Sequence, residues 1–205
     1  MPSDHPSGSV KRLVLTDLSI GFIVLVFFAA FKDIADYVLL TAWIFTFCYL
    51  VRARRFMATL HQILAALLSA IWIHFAKDYY GYEYNFLKIF GLNSLPLLAW
   101  SLTLFGLHEY CSHFQFKKWV HNFLFYVLVF WFFGILVETV TYHNLGLHNS
   151  LTSAYEGLPI CDCVHAPGWM QLVYLMMGPF YYLLTVLADL AIEKLQMIEF
   201  LVGSR

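Results

Sequence analysis

The sequence predicts an all-α polytopic membrane protein with six transmembrane helices and both termini in the cytoplasm. Three observations predict it. Of the 205 residues, 61% are hydrophobic and only 12% are charged, against roughly 25% charged in soluble domains. The mean hydropathy is +0.70, and the apolar residues gather into runs close to the ~20 residues a helix needs to cross the hydrocarbon. The cations sit between those runs in a lopsided way, described below. Together these features exclude a soluble domain, a disordered chain, a collagen and a secreted disulfide knot. The net charge of −1 and the lack of any basic patch exclude a nucleic-acid partner. The expected surroundings are the lipid bilayer and, beyond it, a homo-oligomer or a membrane-complex partner.

Residues 1–10 are polar and carry Pro2 and Pro6, so they read as a flexible tail. The first apolar run, 13–31, lies behind Lys11-Arg12 and reads as a signal anchor, because no small-residue cleavage site follows it. Lys32-Asp33-Ile34-Ala35-Asp36 forms a tight hairpin into the second span, 34–51, which is short and therefore tilted or incomplete. The third span is 57–76. The fourth, 91–110, contains Pro96, which its neighbours must accommodate. The fifth is 119–141 and the sixth 169–192. In the sixth, Gly178-Pro179 is expected to kink the helix and open a cavity beside it. The membrane domain thus runs over 11–193 and leaves a cytoplasmic tail at 194–205. The length leaves no room for a second globular domain.

Six spans place Lys11, Arg12, Arg52, Arg54, Arg55, Lys117, Lys118, Lys194 and Arg205 on one side. Only Lys32, Lys77 and Lys88 fall on the other. Cytoplasmic loops carry the excess of Lys and Arg, so the 77–90 and 142–168 loops face outward. The expected location is a multi-pass position in a prokaryotic cytoplasmic membrane. A weak internal repeat relates 71–104 to 131–182. Each segment reads as a helix with an acidic end, an aromatic loop with Gly, then Pro and a Trp-bearing helix. Chance similarity of apolar helices competes with that reading.

Ionisable groups at membrane depth are costly and mark candidate sites. Glu138 ends the run from Phe123 to Val137, about one turn from the outer boundary. A carboxyl held there in its neutral form can donate a proton; the plainer reading is an interfacial carboxylate in water. Glu138, His143 and His148 offer a carboxylate and two imidazoles to a metal. A continuous helix would not put them on one face, and Gly146 is expected to break it so that the loop folds His148 back. Cys161-Asp162-Cys163-Val164-His165 adds two thiols and a third imidazole, a set suited to zinc or another transition metal. A bridge between Cys161 and Cys163 is not expected across a one-residue spacer, and a loop-packing role is the plainer reading. Asp162 and His165 are alternative acid–base groups. His74 and Asp78, four apart, are expected to pair near the outer end of the third helix. Glu83 lies in the tyrosine-rich stretch beside them, where tyrosines ordinarily anchor the interface.

On the cytoplasmic side, His108-Glu109-Tyr110-Cys111-Ser112-His113 does not match the His-Glu-x-x-His zinc string, because its histidines are five apart. His61, His113 and His121 with Lys117 and Lys118 read as a polar interface, and Asp17 and Asp189 as interfacial or hydrogen-bonded. No phosphate loop, dinucleotide fingerprint, nucleophile elbow or lipidation signal occurs.

Tyr80-Gly81-Tyr82, Phe90-Gly91, Leu95-Pro96-Leu97-Leu98-Ala99-Trp100 and Glu138 followed by Gly157-Leu158-Pro159 resemble small membrane proteins of carotenoid biosynthesis. These are the lycopene-cyclase-type domains and the related carotenoid hydratases. The resemblance spans residues 70–182. It implies protonation or hydration of a polyene by membrane-embedded carboxylates. The chain departs from it in lacking a Pro-Glu-Glu string and in carrying Cys161-Asp162-Cys163.

The expected function is therefore acid–base chemistry on a lipophilic, isoprenoid-like substrate at the outer boundary between the third, fifth and sixth helices, with no cofactor required. Glu138 is the expected general acid. Asp78 or Asp162 would steady a cation or act as base, His143 or His74 would orient them, and Tyr and Trp faces would attract a carbocation. Two alternatives stand beside it. One is a metalloprotein using some subset of His143, His148, Cys161, Cys163 and His165. The other is a non-catalytic subunit of a membrane complex.

Overall fold

The computed structural model describes residues 7–82 and 86–203, with side chains described at Leu15 and over 19–82 and 86–197. Six α-helices make the fold: α1 Ser7–Ala30, α2 Ala35–Arg52, α3 Phe56–Phe75, α4 Ser94–Ser112, α5 Trp119–Thr139 and α6 Gly168–Gly203. Four apolar helical segments are long enough to cross a membrane, Lys32–Arg52, Phe56–Phe75, Trp119–Asn144 and Gly168–Met197. Within α1, the described apolar stretch Ser19–Ala30 is shorter.

The outward faces explain the composition. Phe22, Phe45, Leu67, Phe132 and Leu187 are all more than half exposed, a surface that hydrocarbon solvates and water does not. α4 differs. It packs against each of the other five helices and buries Trp100, Leu104 and Phe105. A helix surrounded by protein rather than lipid can carry Ser101, Thr103, His108 and Glu109 at less cost. The main core joins α3, α4, α5 and α6 through Trp72, Trp100, Tyr126, Phe130 and Tyr181. A groove of about 390 Å³ between α1 and α2, lined by side chains such as Phe27, Val38 and Phe45, faces outward and is apolar.

The connections divide the bundle into two ends. At one end the turns are short, 53–55 between α2 and α3 and 113–118 between α4 and α5. At the other end the loops are long. After α3 come a 3-10 turn, Lys77–Tyr79, and a hairpin whose strands Lys88–Ile89 and Leu92–Asn93 pair antiparallel. Its two turn residues, Phe90 and Gly91, both have positive φ (51° and 78°), as a two-residue hairpin of this hand requires. After α5 a π-helical turn, Val140–Asn144, leads into the long 145–167 loop.

Several expectations change here. Pro96 needs no accommodation by neighbours: α4 starts at Ser94, so Pro96 lies in the first turn, where its missing N–H costs no helix bond. Gly178 opens no cavity. The Phe130 ring of α5 lies against it, and a Cβ there would fall 2.3 Å from that ring. α6 runs unbroken through Pro179 and on to Gly203, so helix continues through most of the 194–205 tail. The two segments of the suggested repeat also differ. Pro96 opens a helix, whereas Pro159 lies in a loop nine residues before α6 begins.

Asp36, expected in the tight hairpin into the second span, is wholly buried. Its Oδ2 accepts the backbone N–H groups of Phe86 (2.8 Å) and Leu87 (2.7 Å), and Ser94 Oγ lies 3.5 Å away. One carboxylate thus ties the start of α2 to the hairpin before α4.

Candidate functional site

At the long-loop end the chain builds a layer of aromatic side chains around one carboxyl. Glu138, on the last turn of α5, is partly buried, and the Tyr174 hydroxyl of α6 donates a hydrogen bond to its Oε1. Tyr174 meets the edge of Trp100 of α4 at 4.4 Å between ring centres, and Trp100 stacks toward Phe130 at 6.5 Å. On the other side Trp72 Nε1 donates to Tyr80 Oη at 3.0 Å, and Tyr80 stacks on Tyr82 at 6.2 Å. Burial pushes the Tyr80 and Tyr82 phenols above the usual phenol range. Both stay protonated at neutral pH and remain hydrogen-bond donors.

The two long loops lock together above this layer. Asn149 Nδ2 donates to Tyr79 O (2.6 Å), and its Oδ1 accepts the Gly81 N–H (2.9 Å). Ser150 N–H and Oγ both reach the Gly81 carbonyl, at 2.9 and 2.8 Å. Gly81 lies close under Leu151: a Cβ there would fall 2.8 Å from the Leu151 side chain, which would have to shift. Asn93 Nδ2 holds the Tyr80 carbonyl at 2.8 Å. Beside Tyr174, between α5 and α6, a crevice of about 10 Å³ lies under Leu158 and Val164, room for about one water molecule.

Other residues expected in the site lie elsewhere. α3 stops at Phe75 and Ala76 turns the chain, so His74 and Asp78 lose their helical register. Both are exposed, and among the described residues no hydrogen bond or ion pair joins them. Asp162 has φ of +45° at a tight turn and is exposed. Gly157 packs so close that a Cβ would meet its backbone at 2.8 Å. Glu83 falls outside the described residues, as does the side chain of Asp17.

The outer histidine and cysteine set is organised as packing. Cys161 and Cys163 form a disulfide, contrary to the expectation from their spacing. The positive φ of Asp162 curls the chain between them and leaves their Cα atoms 5.1 Å apart, within the usual range for a bridge. Neither sulfur is then a free thiolate ligand. His143 Nε2 donates to the Cys161 carbonyl (3.1 Å) and His148 Nε2 to the Tyr142 carbonyl (3.0 Å). Both nitrogens of His165 face carbonyls, those of Tyr155 (2.7 Å) and Asp162 (3.1 Å). Tyr142 is stacked between His148 (4.2 Å) and His165 (4.4 Å). The break at Gly146, with φ of +65°, is what folds His148 back.

At the short-turn end the structure gathers residues that no local string reveals. His61 of α3 and His108 of α4 meet edge to face at 4.8 Å between ring centres. With Glu109 they offer three ligand atoms within 4.8 Å of one another. α6 supplies the supports. Asp189 Oδ1 accepts from His61 Nε2 at 2.8 Å, and Thr185 Oγ1 lies 3.1 Å from His108 Nε2. Arg55 pairs with Glu109 Oε2 at 2.6 Å. Sequence reasoning treated His61 as interface and dismissed the His108-Glu109 string. The missing signal was its distance from His61 along the chain: only packing of α3 on α4 joins them. Tyr174, at mid-helix in an aromatic-rich span, gave no signal either.

No family model matches this chain, and neither curated proteins nor solved structures give a match.

Proposed function

We propose that this protein is a multi-pass membrane enzyme that performs acid–base chemistry on a lipophilic, isoprenoid-like polyene. In this reading all six helices cross the bilayer, α1 and α4 included, with both termini cytoplasmic and the long-loop end outward. The observation that carries the reading is the Tyr174–Glu138 hydrogen bond inside a layer of Trp and Tyr rings. Its proton source is a carboxyl oriented by a phenol, and its cation support is the set of ring faces around it.

The neutral Glu138 carboxyl gives its proton to one carbon of a double bond, and the π pair forms the new C–H bond. The adjacent carbon becomes cationic among Trp100, Tyr80 and Tyr174. The cation then either loses a neighbouring proton to the Glu138 carboxylate or takes up water, whose surplus proton returns to it. Either route restores the acid. Tyr174 takes the orienting place expected of His143 or His74. Asp78 and Asp162, both exposed, stand outside the reaction. The crevice beside Tyr174 is too small for a polyene, so the substrate enters from the lipid as α5 and α6 part.

Coexpression in a lycopene-accumulating bacterial host, with pigments separated and weighed by mass spectrometry, tests this. The wild-type chain should yield a product one water heavier, or a cyclised isomer. Glu138→Gln should lower that yield at least ~100-fold while the purified variant keeps its thermal unfolding profile. Unchanged turnover by Glu138→Gln would show that the acid lies elsewhere.

A further inference from the structure

We propose that His61, His108 and Glu109 form a site for one divalent transition-metal ion, of the zinc or iron(II) class, at the short-turn end of the bundle. This inference is independent of the chemistry assigned to Glu138.

The hydrogen bonds around the two rings fix where their lone pairs lie. A carboxylate has no proton to give, so the Asp189 contact places the His61 proton on Nε2 and leaves Nδ1 with its lone pair. Thr185 Oγ1 donates its only proton to the Tyr182 carbonyl at 2.8 Å. It must therefore accept from His108 Nε2, which places the proton there too. His108 Nδ1 is then a bare lone pair, buried and without a hydrogen-bond partner. A buried acceptor left unpaired is destabilising, and a metal ion is a partner that suits an imidazole lone pair. The Tyr126 hydroxyl, fully buried and also unpartnered, belongs to a ring 6.1 Å from that of His108.

Each ring is held as metal-binding histidines ordinarily are, with the far nitrogen donating to a carboxylate or another acceptor. Glu109 completes a set of two imidazoles and one carboxylate, which suits zinc and iron(II). Arg55 occupies Oε2 of Glu109, which leaves Oε1 as the carboxylate oxygen free to serve as a ligand. The donors lie up to 4.8 Å apart, whereas those around zinc sit about 3.3 Å apart for bonds near 2.0 Å. Binding must therefore draw the side chains in by roughly 1 Å, with coordination positions left over for water or a small ligand.

The test uses the full chain purified in detergent without chelator, loaded with Zn²⁺, dialysed and read by elemental analysis, with affinity from competition against a chromophoric chelator. The expected result is one Zn²⁺ per chain, lost in His108→Ala and Glu109→Gln. Thr185→Val removes no ligand but frees the His108 ring, and should weaken Zn²⁺ binding 10- to 100-fold. Co²⁺ in place of Zn²⁺ should give visible ligand-field bands that His108→Ala abolishes. Unfolding curves taken alongside separate lost binding from lost fold, and Glu109→Gln serves if His108→Ala does not fold. A folded wild-type chain that retains no Zn²⁺ overturns the proposal. So does binding that survives His108→Ala and Glu109→Gln but is lost in His143→Ala or His148→Ala.

Discussion

The two ends of the bundle solve the same problem in opposite ways. Each brings titratable side chains from α3, α4, α5 or α6 into a largely apolar setting. At the long-loop end, loop residues supply the missing partners: Asn149, Ser150 and Asn93 satisfy the backbone over the aromatic layer, and Tyr174 holds Glu138. At the short-turn end the turns contribute less: Arg55 of the 53–55 turn pairs with Glu109. Helix-borne groups must largely satisfy one another, and among the described residues three of their atoms, Gln62 Oε1, His108 Nδ1 and Tyr126 Oη, are left over. A closed, paired carboxyl suits proton transfer, which needs a fixed geometry. An imidazole with a bare lone pair suits a ligand that arrives from outside. The difference teaches that loop length decides which polar groups a helical bundle can finish internally.

The largest effect should come from the paired end. If Glu138 is the acid, Glu138→Gln removes the proton and Tyr174→Phe removes only its orientation. Product yield should fall ~100-fold or more for the first and about tenfold for the second. Equal losses would mean that the two act as one structural unit and would erase the contrast drawn above. Next comes the close approach that holds α5 to α6 between the two ends. Gly178→Val drives a side chain into the Phe130 ring and should cost about 3 kcal/mol in detergent unfolding. Phe130→Ala in the same chain should return part of that loss, since it empties the space the new side chain needs.

Helices were legible in the sequence because burial in lipid leaves long apolar runs. The expected runs 57–76 and 119–141 lie within two residues of α3 and α5 at every boundary, and the π-helical turn carries helix beyond α5 to Asn144. Glu138 was legible for the same reason, as a carboxyl that interrupts an apolar run. What was hidden depends on contacts across the chain. Asp36 looked like a hairpin residue because nothing local shows that it caps Phe86 and Leu87, fifty residues on. His61 and His108 carry no spacing signature, since α3 and α4 place them together. The Cys161–Cys163 bridge was missed because it depends on the positive φ at Asp162, a choice of backbone that residue identity alone does not impose.

Two smaller effects sharpen the account of the long-loop end. Asp36→Asn keeps the shape but weakens charge-assisted bonds to two N–H groups, at a cost of about 2 kcal/mol. Amide exchange should quicken at Phe86 and Leu87 before the helices respond; uniform quickening would mean that Asp36 supports the whole bundle rather than this junction. Cys161→Ser with Cys163→Ser should cost at most about 1.5 kcal/mol, because the bridge closes so short a loop that it removes little freedom from the unfolded chain. The paired variant should also retain Zn²⁺ as the wild-type chain does. Loss of the ion with the bridge would move the metal to the outer loop.

The smallest effect concerns the helix that serves both ends. α6 carries Tyr174 toward one site and Thr185 and Asp189 toward the other, and Pro179 lies between them. Pro179 has no N–H, so the Leu175 carbonyl four residues earlier loses its helical partner. The Trp131 indole of α5 supplies the replacement, donating to Leu175 O at 2.8 Å. Trp131→Phe should therefore cost about 1 kcal/mol, in keeping with hydrogen bonds between membrane helices. Pro179→Ala restores an N–H that can reach the Leu175 carbonyl, so in that background the same Trp131→Phe change should cost measurably less. A double-mutant cycle in detergent unfolding gives the difference directly. Equal costs in both backgrounds would mean that Trp131 acts through packing alone. A difference would show that α5 replaces the hydrogen bond that Pro179 removes from α6, the one helix that holds a partner for each of the two sites.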